Sequence, residues 1–286
     1  MFTIFANMKM DNADRLQHFK DSFDSISDIS DDWLINIRGL YRNQALDYIR
    51  EKLKGRMIEF SLLDDKRRWS RNALEMTAKA KYNYILMWNE DHINLVPQDI
   101  YKELVKELAE NKVDNMTYSW WFFGRQNRCF NGYKKKELKY VDIVELTPEV
   151  WEKIKARGYV YGFISVIDIF HKDLLHKVLK EDIKKWSNFS SKFVYKMIHL
   201  PSWFGFKINE MDYYHFFQRI NHKFFRDKFP FYTLEGPFNV EKENFRTDYL
   251  PLTFAIPRQE LFACINKDMN MGEGRYTLLD RGLYYY

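Results

Sequence analysis

Cysteine is almost missing from this chain: Cys129 and Cys264 are the only two in 286 residues. They lie far apart without metal-ligand spacing, so neither a disulfide framework nor a zinc site holds the fold, and free thiols in a reducing compartment are expected. Long apolar runs are missing as well. The longest membrane-like stretch, Tyr159 to Phe170, contains Asp168 and is well short of the ~20 residues a spanning helix needs. The opening residues, MFTIFANMKM, lack the basic-then-apolar layout of a secretion signal and read instead as a first strand. The expectation is a cytoplasmic protein, soluble or peripherally attached to a membrane. Charge of one sign is scarce too, with 45 basic against 40 acidic residues and a net charge of +5. That balance allows mild attraction to anions and gives no dedicated nucleic-acid surface. Repeats and low-complexity segments are absent.

What is present is apolar and aromatic mass, 46% and 18% of residues, enough for a substantial core. Along the first 92 residues strands and helices alternate, which predicts a parallel, doubly wound α/β sheet. A strand at Phe2 to Ala6 precedes a helix with Leu16, Phe19, Phe23 and Ile26 on one face. A strand at Trp33 to Ile37 precedes a helix carrying Tyr41, Ala45, Tyr48 and Ile49, and a third strand spans Met57 to Leu63.

From Arg67 to His92 the spacing of Trp69, Ala73, Thr77 and Ala80 is helical, and Tyr84 to Trp88 then form a continuous apolar run typical of a strand covered on both faces. The run ends abruptly in Asn89, Glu90, Asp91 and His92. Carboxylates and an imidazole at the carboxyl end of a buried strand must be solvated, paired or bound to a cation. Such a strand end is also where open α/β sheets hold ligands.

Pro97 opens a further helix with Ile100, Leu104 and Leu108, and a strand is expected from Asn115 to Phe123. The polar, basic segment Gly124 to Lys136 reads as a mobile loop, with Lys134, Lys135 and Lys136 a solvated run. Beyond Tyr140 the pattern is mixed. Tyr161 to Ile169 reads as a strand, the next helix places Leu174, Leu175, Val178, Leu179 and Ile183 on one face, and another helix spans about Glu210 to Phe225. The last forty residues show no clear period. The aromatic cluster HLPSWFGF, from His199 to Phe206, suits a sugar-stacking platform, a membrane-touching loop or plain core.

Arg71 and Asn72 opening a helix, Ala78 or Ala80 late in it, the strand Tyr84 to Leu86 and the run Asn89-Glu90-Asp91 together resemble the nucleotide-sugar-dependent glycosyltransferases of the GT-A fold, most closely the family 2 group. The resemblance implies an open, mostly parallel, Rossmann-like central sheet flanked by helices, with a mixed acceptor-side second half. It divides the chain into a nucleotide-sugar-binding half (1–123) and an acceptor-binding half (124–286). It implies a divalent cation, Mn²⁺ or Mg²⁺, contacted by Asp91 and bridging the donor diphosphate. Asn89 stands where the family usually has Asp, one charge fewer, and would reach the ribose or a metal-bound water. His92 is either a further ligand or the group that orients a neighbouring carboxylate.

For the donor, the resemblance points to Ala6 and Asn7 after the first strand, Asp65 beside Asp64, Arg71, Asn89 and Glu90. Arg38-Gly39 sits where the family shows an acidic residue before Gly or Ser, so base recognition is expected to differ. Asp65 and Arg71 also fit ordinary helix-start residues. The inverting base is expected from Glu210 or Asp212 in NEMDYYHFFQR, whose acids equally fit capping of a helix start. The implied partners are a nucleotide sugar and a glycan or lipid-linked glycan acceptor, with no nucleic acid. The nearest rival, a nucleotidyltransferase, needs a glycine-rich loop after the first strand, and FANMKMDNADR contains no glycine. A binding protein that keeps the fold without catalysis is the other alternative, motivated by Asn89 and the imperfect acidic pair.

Overall fold

Strand–helix repeats build the first part of the molecule, and each forms for a local reason. β1 (Thr3–Lys9) is buried along most of its length, as a parallel strand covered by helices on both sides must be. Asn12 caps α1 (Ala13–Ile26) by accepting from the Arg15 N–H at 2.8 Å, which satisfies one of the donors that a helix start leaves open. Phe19, Ser22, Phe23 and Ile26 form the buried stripe of that helix. The pattern recurs in β2 (Asp32–Arg38), α2 (Arg42–Lys52), β3 (Glu59–Phe60), α3 (Trp69–Thr77) and β4 (Tyr84–Met87), the last buried at every position. The computed structural model describes residues 1–54, 59–60, 69–117, 130, 132–156, 168–187 and 250–264.

Further along come β5 (His92–Asn94), α4 (Gln98–Glu110), β6 (Asn115–Thr117), β7 (Lys134–Glu137) and β8 (Val141–Leu146). They are followed by α5 (Pro148–Ala156), β9 (Asp168–His171), α6 (Lys172–Ser187), β10 (Leu252–Pro257) and β11 (Phe262–Cys264). Among the described residues, nine strands form one sheet in the order β3-β2-β1-β4-β9-β6-β10-β8-β7. The β1–β2, β1–β4, β2–β3 and β6–β10 pairs are parallel. β9 is antiparallel to β4 and β6, and β8 to β10 and β7, so among the described strands these two oppose the other seven. This is a mixed α/β fold with a large, mostly parallel sheet, and strands from either side of residue 123 share it. β5 and β11 pair separately as a short antiparallel ribbon.

The chain builds outward from β1 to β3 and then returns to place β4 on the other side of β1. Strand order therefore reverses between β1 and β4, and in open α/β sheets the crevice outside the carboxyl ends of such a pair is the natural ligand position. The two faces are packed independently. Ile4, Ala6, Trp33 and Leu86 meet the apolar stripes of α1, α2 and α4. Phe5, Leu34, Ile85 and Phe170 face Ala73 and Met76 of α3, Trp151 of α5 and the stripe of α6.

Several boundaries differ from expectation. Lys134 to Lys136 belong to the edge strand β7 rather than to a loop, and all three are exposed. Charged side chains suit an edge because they block pairing with another chain. Lys134 pairs with Asp142, Lys135 with Glu145, and Lys136 donates to Asn111 Oδ1 at 2.8 Å, so the run is neutralised locally. β10, inside the stretch with no readable period, is an interior strand whose pattern is masked because it is buried on both faces. β1 extends to Lys9, so the loop after it begins at Met10 and Ala6 lies in the core. The helix expected from Glu210 to Phe225, the HLPSWFGF cluster, and most of the strands expected at Met57 to Leu63, Asn115 to Phe123 and Tyr161 to Ile169 lie outside the described residues. Among the described residues no helix is long and apolar enough to cross a membrane.

Candidate functional site

The acidic run leaves β4 at the switch point. Phe5 and Met87 are register partners and the Trp88 N–H donates to Phe5 O at 2.9 Å, so Asn89 emerges beside Asn7. Trp88 fixes this exit. Its ring is buried against Phe19, Phe23 and Trp33, and its Nε1–H donates to Ser22 Oγ at 2.8 Å. Ser22 in turn donates to the His92 carbonyl, and Ser25 Oγ accepts from the Asn94 N–H at 2.9 Å. Residues 89–94 are thereby strapped along α1. The carboxyl end of β4 is consequently a held segment rather than a frayed loop.

Its charges are unequal. Glu90 is buried and accepts from Arg15 Nε at 2.5 Å. Burial, with the charge of Asp91 beside it, pushes the Glu90 carboxyl above the usual range, against the pull of Arg15. Asp91 behaves oppositely. Burial alone raises it, but the charge of His92 and its hydrogen bond outweigh that and hold the carboxyl below the usual range. His92 Nδ1 lies 2.6 Å from Asp91 Oδ1, and the Asp91 side chain stays 24% exposed. The imidazole thus orients Asp91 with the nitrogen that faces it. One ionised carboxylate is presented to solvent, while its neighbour is tied up by an arginine.

A hard divalent cation takes oxygen ligands and accepts phosphate and water oxygens alongside few carboxylates. Among the described residues no group of three or more His, Cys, Asp or Glu side chains is gathered as a metal site. Asp91, with Glu90 committed to Arg15 and His92 Nδ1 facing Asp91, fits a cation only when a ligand supplies most of the oxygens.

Other residues named from the sequence are dispersed. Ala6 is buried under α1, α2 and α4, within the core. Asn7 sits level with Asn36 in the β1–β2 register and accepts from Asn36 Nδ2 at 2.9 Å. Arg38 ends β2 where two loops cross: Met10 N–H donates to Arg38 O at 2.8 Å and Tyr41 N–H to Met10 O at 2.9 Å. Gly39 follows with φ of 96°, and a Cβ there would meet Met10 O at 2.5 Å, so only glycine permits the crossing. Arg71 is exposed near the start of α3, at the same edge. Asp65, Glu210 and Asp212 lie outside the described residues.

Three residues at or near this edge were not singled out from the sequence. Arg15, on the first turn of α1, partners Glu90, and nothing in its spacing announces that role. Asn36 is a polar residue in the otherwise apolar centre of DWLINIR, a signal that was available. Asp168, wholly buried at the start of β9, is register partner to Thr117 and accepts from Asn115 Nδ2 at 3.4 Å. Only the antiparallel insertion of β9 between β4 and β6 brings it there.

No family model and no curated protein matches this chain. Among solved structures it is similar to the mannosyltransferase PcManGT from Pyrobaculum calidifontis, solved in complex with GDP-Man and Mn2+, at 12% identity and a TM-score of 0.37. That likeness covers 62% of this chain and 46% of the other, so this chain spans less than half of it. A TM-score so low does not establish a common fold.

Proposed function

We propose that this protein is a glycosyltransferase of the GT-A fold, similar to family 2, that moves a sugar from a nucleoside diphosphate sugar to a hydroxyl of a glycan or glycolipid. The observation that carries the reading is Asp91: an ionised, partly exposed carboxylate oriented by His92 at the point where strand order reverses. Arg38, Arg42 and Arg71 at the same edge favour an anionic ligand, while Lys9 and Arg15 there are paired with Asp11 and Glu90.

In the proposed reaction the acceptor oxygen attacks the anomeric carbon as the bond to the diphosphate oxygen breaks. The acceptor proton passes to a carboxylate, Asp212 or Glu210, and the diphosphate leaves with the bonding electrons, inverting the centre. Asp91, with Asn89 beside it, would hold Mn²⁺ or Mg²⁺, whose chemistry when bound is to offset charge on the departing diphosphate. His92 keeps Asp91 in position, and Arg15 keeps Glu90 from competing for the ion. Asp65 and Arg71 would hold the donor.

Calorimetry of the full chain with nucleoside diphosphates, with and without Mn²⁺, tests this. Cation-dependent binding that disappears in Asp91→Ala, with the melting temperature unchanged, is the expected result. Affinity indifferent to both the cation and Asp91 would defeat the assignment, and a preference for triphosphates would point to nucleotidyl transfer. Asp212→Asn is expected to abolish turnover with donor affinity kept.

A further inference from the structure

The ion pair between Arg15 and Glu90 is closed at one end and open at the other. The Glu90 side chain is 8% exposed and that of Arg15 45%. Arg15 Nε donates to Glu90 Oε1 at 2.5 Å, and Nη1 and Nη2 have no hydrogen-bond or ion-pair partner among the described residues. A guanidinium that serves only to neutralise a carboxylate commonly lays parallel N–H groups against both of its oxygens. Here Glu90 takes Nε alone and the end of the fork is left over. Nor is the pair a strong device for stability, since a buried ion pair seldom outperforms apolar residues of the same size. Both partners are held in place. Arg15 sits on the first turn of α1, where the Asn12 cap accepts from its backbone N–H at 2.8 Å. Glu90 lies between Trp88, whose Nε1–H donates to Ser22 Oγ at 2.8 Å, and His92, whose carbonyl accepts from the same hydroxyl. The next residue in the chain is Asp91, the partly exposed carboxylate at the switch point.

Resting on the function proposed above, we infer that Arg15 is a donor-binding residue: Glu90 anchors it through Nε, and Nη1 and Nη2 take oxygens of the donor diphosphate beside the cation at Asp91. The chemistry of the group fits that task. Guanidinium meets phosphate oxygens with parallel N–H donors and stays charged at any working pH. A divalent ion held by few carboxylates uses some of the phosphate oxygens and leaves others to be matched by the protein. Arg15 then offsets part of the charge that builds on the departing diphosphate, and it is already positioned before the donor arrives. Lys9, at the same edge, is tied to Asp11 at 2.9 Å and is not placed by the acidic run. The two acids thus have separate tasks. Asp91 faces the ion, and Glu90 fixes the arginine that faces the phosphates.

The test is calorimetry of the full-length protein with ADP, GDP, UDP and CDP in the presence of Mn²⁺, the tightest of these then being carried to the variants. Arg15→Lys keeps a positive charge facing Glu90 and loses the fork. It is expected to weaken the diphosphate at least about tenfold, the scale of one charge-assisted hydrogen bond. The double variant Arg15→Gln/Glu90→Gln leaves no unbalanced buried charge, so it serves where the single variant melts early, and its affinity is expected to fall as far. Affinity within about threefold of the unaltered protein in either variant overturns the proposal, because Arg15 would then serve only to neutralise Glu90. That result leaves the transferase reading standing where binding by the unaltered protein still needs Mn²⁺ and Asp91. A measurement without any variant is the modification of Arg15 by phenylglyoxal, followed by peptide mass spectrometry. Saturating diphosphate with Mn²⁺ should slow it severalfold, and an unchanged rate likewise removes Arg15 from the donor site. Binding of none of the diphosphates by the unaltered protein removes both proposals together.

Discussion

The two edges of the central sheet use similar polar residues and treat them differently. At the amino edge, Asp32 Oδ2 accepts from Thr3 Oγ1 at 2.5 Å and from the Lys81 N–H at 2.9 Å, and Asp31 accepts from Lys81 Nζ and Tyr82 OH. The Tyr84 hydroxyl reaches the Leu108 and Val113 carbonyls, and Asp114 accepts from the Thr253 N–H at 2.7 Å. At the carboxyl edge, Asn36 Oδ1, Arg42 Nε and both polar atoms of Asn72 find no partner among the described residues, and at the amino edge the same is true of Asn115 Oδ1, at the start of β6. Polar groups matched within the chain stabilise it, whereas buried groups left unmatched cost stability and are tolerated where a ligand completes them. Matched groups predominate at the amino edge, and most of the unmatched ones gather at the carboxyl edge.

Substitutions can break or sharpen that contrast. The largest effect is expected from Asp32→Ala, which strips partners from Thr3 and from the Lys81 backbone. It should lower unfolding free energy by about 2 kcal/mol in denaturant titrations without altering nucleotide affinity. Tyr84→Phe, which removes one buried hydroxyl at the same edge, should cost about 1 kcal/mol by the same measurement.

The carboxyl edge should answer with the opposite sign. Asn72→Leu, close in volume and without unmatched polar atoms, is expected to leave the melting temperature equal or higher. A clear loss of stability would show that Asn72 is matched in solution and that the contrast is false. The smallest effect belongs to Asp31→Asn. The hydrogen bond from Lys81, against a smaller opposing effect of burial, lowers the Asp31 carboxyl from its ordinary 3.8. A carboxyl lowered by folding adds stability above its unfolded value, and that contribution is lost as the pH falls through the folded value. Both side chains are about half exposed, so the difference between Asp31→Asn and the unaltered protein should be a few tenths of a kcal/mol, about, near neutral pH. It should shrink as the pH falls from 3.8 towards the lower folded value and vanish below that folded value, and a difference that persists at the acid end would mean the pair is not what Asp31 contributes.

The first three strand–helix repeats were readable because their apolar spacing is local: Phe19, Phe23 and Ile26 mark the inner stripe of α1, and β4 is continuous apolar sequence. β7 and β10 were not. Three lysines read as loop until a neighbouring strand makes them an edge, and LTFAIP carries no alternation because both of its faces are covered. Within the site, the abrupt end of β4 was legible as a change from apolar to polar residues, and the structure puts Asp91 and His92 just after β4, where strand order reverses. The division of labour between Glu90 and Asp91 was hidden, since it depends on Arg15, seventy-five residues earlier.

By itself, the order of residues determined where α1, α2, α4 and the buried strands β1, β2 and β4 form, because hydrophobic spacing and caps act over a few positions. It also determined that the acids fall at the end of β4. Only the tertiary structure decided which acid remains open, which amides are left unmatched, and that β9 brings Asp168 beside β6, at Thr117. Those outcomes depend on which distant groups share a buried volume, where each charge or amide must find a partner across the fold, and local sequence carries no record of that pairing.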